Sequence, residues 1–383
     1  MLNELTESKP PLKWTNILFM TLNPLAAAIL APLYIMDHGF SWGMLALLIA
    51  TYTISNMVIT TGYHRYFSHR TYSAHPVIES LFIFFGSGAF QGSILNWCTD
   101  HRRHHREVDG HEDPYSRSKG FWYSHILWMF RHDPHPEALA FPRDLTKSKF
   151  ILFQHKYYAL MATFVGYIVP GLVAYACGLG FWGGVIFGGA VRITLSQHST
   201  FLINSAAHTF GTRPYTDKNS ARDSFIMAFL TFGEGYHNYH HYFQLDYRNG
   251  IRWYQWDPTK WSIEALAFFG LASKLKKVRK EEIFKARLAM EEKALLAHIG
   301  AQATPHYVTL SERTALLRTR IHEAQARMKR MHDDYLAAKK AFMEKSQRKM
   351  HRAEFKMAKI EFKAAVGQWR TFRKAVRQTG VAA

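Results

Sequence analysis

The sequence predicts an all-α membrane protein with four transmembrane helices and a histidine-rich metal site at one face. Three observations carry that prediction. Two pairs of long apolar stretches are each joined by a link of only a few residues. Neither link contains Lys or Arg. The histidines gather in short clusters, two of which lie at the ends of these stretches away from the links. Composition agrees: of 383 residues, 48% are hydrophobic and 15% aromatic, which is long and aromatic-rich for one soluble domain. Two cysteines, Cys98 and Cys177, exclude a disulfide framework and a thiolate-held iron–sulfur cluster.

The elements follow in order. Residues 1–14 are polar and carry no cleavable signal pattern. Residues 17–36 form an uncharged apolar run long enough to cross the hydrocarbon core as a helix. Residues 37–40 link it to a second run, 41–62, which leads straight into histidines. Residues 76–97 are apolar but carry Glu79, Gln91 and Asn96, so this helix lies at the interface or inside the protein. Residues 106–150 are charged, rich in Pro and aromatics, and belong on the water side. A third run, 157–177, and a fourth, 181–207, are joined through Gly178-Leu179-Gly180. Arg192 lies inside the fourth and must face protein or water. The four spans are placed at about 15–37, 41–62, 157–177 and 181–207, with Trp14, Trp42 and Trp182 at their ends as interfacial aromatics. Residues 262–273 read as a short apolar helix.

Charge separates a body from a tail. From Lys274 onward there are 27 Lys and Arg against 11 Asp and Glu, a net +16, leaving 21 against 18 elsewhere. The chain divides into 1–280 and a basic helical tail, 281–383, interrupted near Gly300 to Pro305. The tail reads as a solvated amphipathic helix or helical hairpin, or as an arm for anionic lipid or a protein partner. No nucleic-acid-binding motif accompanies the charge. Apart from Arg192, Lys and Arg are confined to the N-terminus, 63–156 and 208–383, so both termini and all histidine clusters are expected on the cytoplasmic side.

The clusters are His64 and His69; His101, His104 and His105; Asn204 and His208; and His237, His240 and His241. Positions i, i+3 and i+4 share a helix face, so each triplet can converge on one point. A lone histidine is more often a hydrogen-bonded core residue than a ligand, but a doubled H-x-x-H-H is hard to reach by chance in a chain with 22 histidines. Imidazole suits Fe, Zn, Cu and Ni. Nine histidines exceed one ion's capacity and suit two. On an α-helix His64 and His69 would point about 140° apart, and so would serve two ions or straddle a helix end. Asn204 could ligate weakly or through water. Asp100, Glu107, Asp109, Asp113 and Glu234 lie beside the clusters and could orient a ligand through its second ring nitrogen, or could be plain surface charges. Such a site at a membrane face suggests dioxygen chemistry on a lipid, because an alkyl C–H bond offers no acidity to a base.

The boxes His64-x4-His69, His101-x2-His104-His105 and His237-x2-His240-His241, with Asn204-Ser205-Ala206-Ala207-His208, resemble those of the membrane acyl-CoA desaturases of the stearoyl-CoA, Δ9 type. Asp113-Pro114-Tyr115, Gly120-Phe121, Ser124-His125 and Gly233-Glu234-Gly235-Tyr236 extend the resemblance over about residues 15–280. It implies four transmembrane helices under a cytosolic helical cap, and two Fe ions using O2 and two electrons. All nine histidines would be ligands, with Asn204 binding through water. It implies an acyl tunnel bent beside Gln91 and Trp97, shaped by Thr200 and Phe201 and closed by Tyr52. Asn56 replaces a small residue one turn on. Thr99 stands where an arginine meets CoA in animal members, leaving Arg103 and Arg131 as stand-ins. The implied partners are a fatty acyl-CoA, membrane lipid and a separate electron donor (ferredoxin, rubredoxin or cytochrome b5-type), since the chain shows no such segment. A bacterial inner membrane is the expected location. The competing readings are a desaturase of phospholipid-bound chains, a related di-iron hydroxylase, and a metal transporter. The last would need a path of charged groups through the spans, where only Arg192 and Glu79 offer themselves.

Overall fold

A computed structural model of the chain describes residues 10–133, 140–301 and 307–379. It forms two compact units, Met1–Arg279 and Lys280–Ala383.

Among the described residues the elements of the first unit are helices, apart from a two-residue antiparallel ladder pairing Ser73–Ala74 with Ala272–Ser273 and a few isolated bridges. Three of its helices are long and apolar enough to cross a membrane: Trp14–His38, Trp42–Ser68 and Tyr158–Ala176. The first turns at Gly39, whose φ of 78° suits only a residue without a side chain. Ser41 then caps the second by accepting from the Met44 N–H. The expected fourth span is helical from 181 to 205. It is not among the three apolar helices: Arg192, Ser196 and Gln197 lie within it and lower its hydropathy, and all three are buried.

Polar groups inside the helices are matched by protein. Arg192 donates to the carbonyls of Gly88 (2.6 Å), Gly166 (2.8 Å) and Gly188 (2.9 Å) and to Ser55 Oγ (3.3 Å). Asn23 donates to the Ala190 carbonyl and accepts from Tyr167. Glu79 accepts from the Tyr66 hydroxyl at 2.7 Å. Neither Arg192 nor Glu79 is therefore spare for an ion path.

The apolar stretch at 76–97 breaks in two. Pro76–Ser87 is too short to span, and it buries Ile78, Phe82 and Ile83 in a core with Tyr63, Phe67, Leu95, Cys98 and Ile263. Ser93 then starts a new helix, Ile94–Glu107, by accepting from the Asn96 N–H. The helix expected at 262–273 runs instead from Pro258 to Phe268. Asp257 caps it by accepting from the Lys260 N–H, Pro258 occupies its first turn, and Gly270, at φ 73°, ends it before the ladder strand.

The second unit comprises helices Lys280–Ala301, Tyr307–Lys340 and Lys345–Thr379. Its core joins Leu288, Leu295 and Ile299 to Leu310, Leu317, Ile321, Trp369, Phe372 and Val376. The last two helices form an antiparallel hairpin.

Candidate metal centre and substrate cavity

All nine histidines meet, but not as the triplets suggest. They sort into one group of five, His64, His69, His101, His105 and His240, and one of four, His104, His208, His237 and His241; within each group the ligand nitrogens lie within 4.8 Å of one another. Each H-x-x-H-H triplet is split between the two groups. Helix geometry explains this: i+4 lies about 40° to one side of i, and i+3 about 60° to the other. His101 and His105 face one way and His104 the other; His237 and His241 pair, and His240 crosses over.

His64 and His69 enter the same group, contrary to the α-helical expectation. The segment Ile59–Ser68 is π-helical, and the His69 N–H donates to the His64 carbonyl five residues back at 3.1 Å. An i→i+5 turn stacks residues five apart on one face.

The rings present Nε2 inward. In the first group His64 and His240 approach to 2.9 Å, His240 and His105 to 3.0 Å, and His69 and His101 to 2.8 Å. In the second, His237 lies 3.0 Å from both His208 and His241, and His104 lies 3.3 Å from His241. Two imidazole nitrogens on one ion at roughly 2.1 Å are separated by about 3.0–3.4 Å, so the spacing suits a shared metal. The outward nitrogens support this. His64 Nδ1 lies 2.9 Å from Glu234, and His104 Nδ1 lies 2.9 Å from Asp113. A carboxylate there requires N–H on Nδ1, leaving the Nε2 lone pair pointing inward. Burial first, then crowding by neighbouring imidazoles, holds His101, His105, His240 and His241 well below the usual histidine range, and His237 at about 3. A lowered value of this kind favours the neutral imidazole, the form that ligates a metal. The donor set fits two imidazole-loving metal ions.

Of the five acids beside the clusters, Glu234 and Asp113 touch histidines directly. Asp109 acts through Ser220, accepting from its hydroxyl at 2.6 Å while Ser220 Oγ lies 2.7 Å from His208 Nδ1. Asp100 and Glu107 are directed instead to Arg103 and Arg106.

Glu234 is the best secured. It accepts from Arg65 (3.1 Å) and Asn249 (2.7 Å), and Arg65 also pairs with Asp257 at 2.9 Å. Burial alone would raise the Glu234 carboxyl, but His64 and Arg65 outweigh it and hold it at about 2. The flanking glycines make room for this packing. A Cβ on Gly233, at φ 102°, would sit 2.5 Å from Asp257 Oδ1, and one on Gly235 would sit 2.0 Å from the Ala228 nitrogen. Arg65, Asp257, Asn249 and Ser220 carried no pattern in the sequence that set them apart.

A cavity of about 1600 Å³ runs beside the histidines and is lined by His64, His101, His104 and His237. Gln91, Trp97, Thr200, Phe201, Asn204 and Asn56 line it too. Gln91 donates to Thr200 Oγ1 at 2.8 Å, and Trp97 stacks on His101 with centroids 4.7 Å apart. Asn56 donates to the Tyr52 carbonyl and to Ser196, so its amide is occupied. Tyr52 is not part of the lining; its ring lies 5.8 Å from that of Phe232. Exposed Lys13, Lys119 and Arg131 mark the open end. Arg103 also lines the cavity, but is buried and paired with Asp133. Arg131 donates to the Pro10 carbonyl at 2.7 Å.

A sequence model of fatty acid desaturases matches residues 40–271, more than half of the chain. The chain belongs to the fatty acid desaturase family. Curated members of that family align with it. It is 43% identical over 252 residues to a probable acyl-CoA desaturase of Schizosaccharomyces pombe, covering 64% of this chain and 52% of that protein. It is 39% identical over 293 residues to acyl-CoA desaturase 1 of Saccharomyces cerevisiae, covering 74% and 56%. It is 34% identical over 279 residues to the sn-1 stearoyl-lipid 9-desaturase of Anabaena variabilis, covering 72% and 98%. The chain thus spans about half the length of the two yeast relatives. As a desaturase-family protein with these apolar helices it is an integral membrane protein. Two of the three relatives come from yeasts, so they lend nothing to the expected bacterial inner membrane.

Proposed function

We propose that this chain is an O2-dependent fatty acyl-CoA desaturase that inserts a cis double bond, at Δ9, into a saturated acyl chain. One observation carries the reading: the histidines sort into sets of five and four beside a cavity that continues past Gln91, Trp97 and Thr200. Two irons, given O2 and two electrons from a separate carrier (ferredoxin, rubredoxin or cytochrome b5-type), would supply the oxidant that unactivated C–H bonds demand. His64, His69, His101, His105 and His240 would hold one ion. His104, His208, His237 and His241 would hold the other, with Asn204 contributing through water. Glu234 and Asp113 would keep the rings aimed.

The remaining cavity residues would hold and select the substrate. Lys13, Lys119 and Arg131 at the open end offer charge to a thioester-linked phosphate headgroup. Arg103 gives one guanidinium nitrogen to Asp133, while its Nε and Nη1 have no hydrogen-bond partner among the described residues and would remain available to phosphate from the cavity wall. Gln91 and Thr200, tied across the cavity, would set the bend with Trp97 and Phe201. Tyr52 would act just beyond the lined space, behind Asn56. The site and both termini are placed on the cytoplasmic side, a reading supported by the absence of Lys and Arg from both short links.

The test is mass spectrometry of fatty acids from cells expressing the chain, beside His240→Ala and Tyr52→Ala. Wild type should yield a Δ9 alkene on acyl-CoA, and His240→Ala none. An alcohol would point to a hydroxylase, and unsaturation arising on lipid esters to a lipid-linked substrate. Tyr52→Ala should favour longer chains several-fold per carbon, since each buried methylene is worth about 0.8 kcal/mol. The bond should keep its distance from the carboxyl end. An unchanged profile in an active Tyr52→Ala enzyme would place the cavity's end elsewhere.

A further inference from the structure

The hairpin of the second unit is covered by a third helix over only part of its length. Its base is covered by Lys280–Ala301, and the core there runs from Leu310 to Ile321 on one arm and from Trp369 to Val376 on the other. The stretch from His322 to Glu361 lies beyond that core. Here the two helices pack on each other alone, through Gln325, Ala338, Ala358, the His332–Phe355 ring pair at 4.8 Å and the Arg327–Glu361 ion pair at 3.0 Å. This outer part nevertheless displays large apolar side chains. Phe342, at the turn, is 91% exposed, and Met350 and Met357 are 53% and 56% exposed. Met350, Ala353, Met357 and Ile360 fall within about 80° of one another around the helix, forming a stripe separate from the buried one.

The charge around that stripe says what covers it. Residues 339–363 contain nine Lys and Arg against three Asp and Glu. Two of the three acids are already taken, Glu354 by His351 at 3.2 Å and Glu361 by Arg327 at 3.0 Å. Lys339, Lys340, Lys345, Lys349, Lys356, Lys359 and Lys363 are exposed, and none has a carboxylate partner among the described residues. Seven of the nine cations are thus lysine. Protein interfaces are depleted in Lys and enriched in Arg and aromatics. A lipid surface takes the opposite pattern: long lysine stems lie along apolar surface while their ammonium groups reach the headgroups. Clustered lysines beside exposed apolar residues match anionic headgroups over acyl chains. The hairpin is also joined in one chain to membrane-embedded helices, so a bilayer is present at high effective concentration.

We propose that the outer part of the hairpin is a membrane-surface arm. Its turn, Phe342-Met343, and the stripe Met350–Met357–Ile360 enter an anionic bilayer surface, and the lysines engage its headgroups. The test uses the full chain in nanodiscs. In a Cys177→Ser background, Met343→Cys and, separately, Met350→Cys carry an environment-sensitive dye; Cys98 is buried. Discs contain phosphatidylcholine alone or mixed with phosphatidylglycerol, with brominated acyl chains as quencher. The expected result is a blue shift and several-fold stronger quenching at both positions in the anionic discs. Both effects should be lost at high salt and in the triple variant Lys345→Glu, Lys349→Glu, Lys356→Glu. Equal quenching in both discs would overturn the electrostatic basis. No quenching in either would overturn the proposal and leave the stripe to an acidic protein.

Discussion

The two histidine groups share two helices, Ile94–Glu107 and His237–Tyr242, yet they are secured in different ways. The five-histidine group leans on a buried charge network. His64 is held by Glu234, Glu234 by Arg65 and Asn249, and Arg65 by Asp257, which also caps a helix. The four-histidine group leans on loops. Asp113, holding His104, accepts from the N–H groups of Asp109 and Tyr115. His208 is held by Ser220 and, behind it, Asp109. One histidine group is therefore tied into the core by charge, and the other is held by residues from turns and loops. The second also has fewer histidines, with Asn204 on the cavity wall beside it.

Removing a ligand tests the division most severely. His240→Ala and His208→Ala should each abolish desaturation, because a shortened ligand set weakens metal binding and detunes the oxidant. Metal analysis of the purified variants sharpens the comparison. If the core cage forms first, His208→Ala keeps about one of two irons and His240→Ala keeps fewer. An active variant of either kind would sink the ligand assignment.

Next come the carboxylates. Asp113→Asn and Glu234→Gln should each lower metal affinity by roughly 10–100-fold. Only Glu234→Gln should also destabilise the fold, by roughly 3–5 kcal/mol, because it breaks a fully buried ion pair with Arg65. Thermal unfolding of the metal-free variants separates the two. Equal unfolding temperatures would erase the distinction between the cages.

The smallest effect is expected at Asn204. Asn204→Ala should retain both irons and lose about tenfold or less in turnover, as suits a group acting through water. Loss of an iron from this variant would make Asn204 a direct ligand.

Much of this was legible in the sequence. Nine histidines in four clusters announced a site able to hold metal, and the apolar runs announced helices long enough to span a membrane. What could not be read was how the rings divide. That depends on the helical offset between i+3 and i+4, and on the π turn that brings His64 and His69 together. The clamp on His64 was hidden for another reason. Arg65, Asn249 and Asp257 come from distant parts of the chain and meet only through packing. Asp100 sits beside His101 in sequence, yet its carboxylate turns to Arg103.

The helix Arg192–Ser205 holds the loop between Gly88 and Ser93 at three points: Arg192 to the Gly88 carbonyl, Gln197 to the Phe90 carbonyl, and Gln91 to Thr200. Its next turn carries Asn204, and His208 follows four residues later. Thr200, which would help set the bend, and Asn204 beside the histidines thus stand on one rod, rising 1.5 Å per residue, a step comparable to one carbon of an extended alkyl chain. Such a rod is a gauge. Thermal shifts of the surrounding helices move both of its marks together, so the carbon presented for oxidation would be counted from a fixed notch and not from the end of the chain.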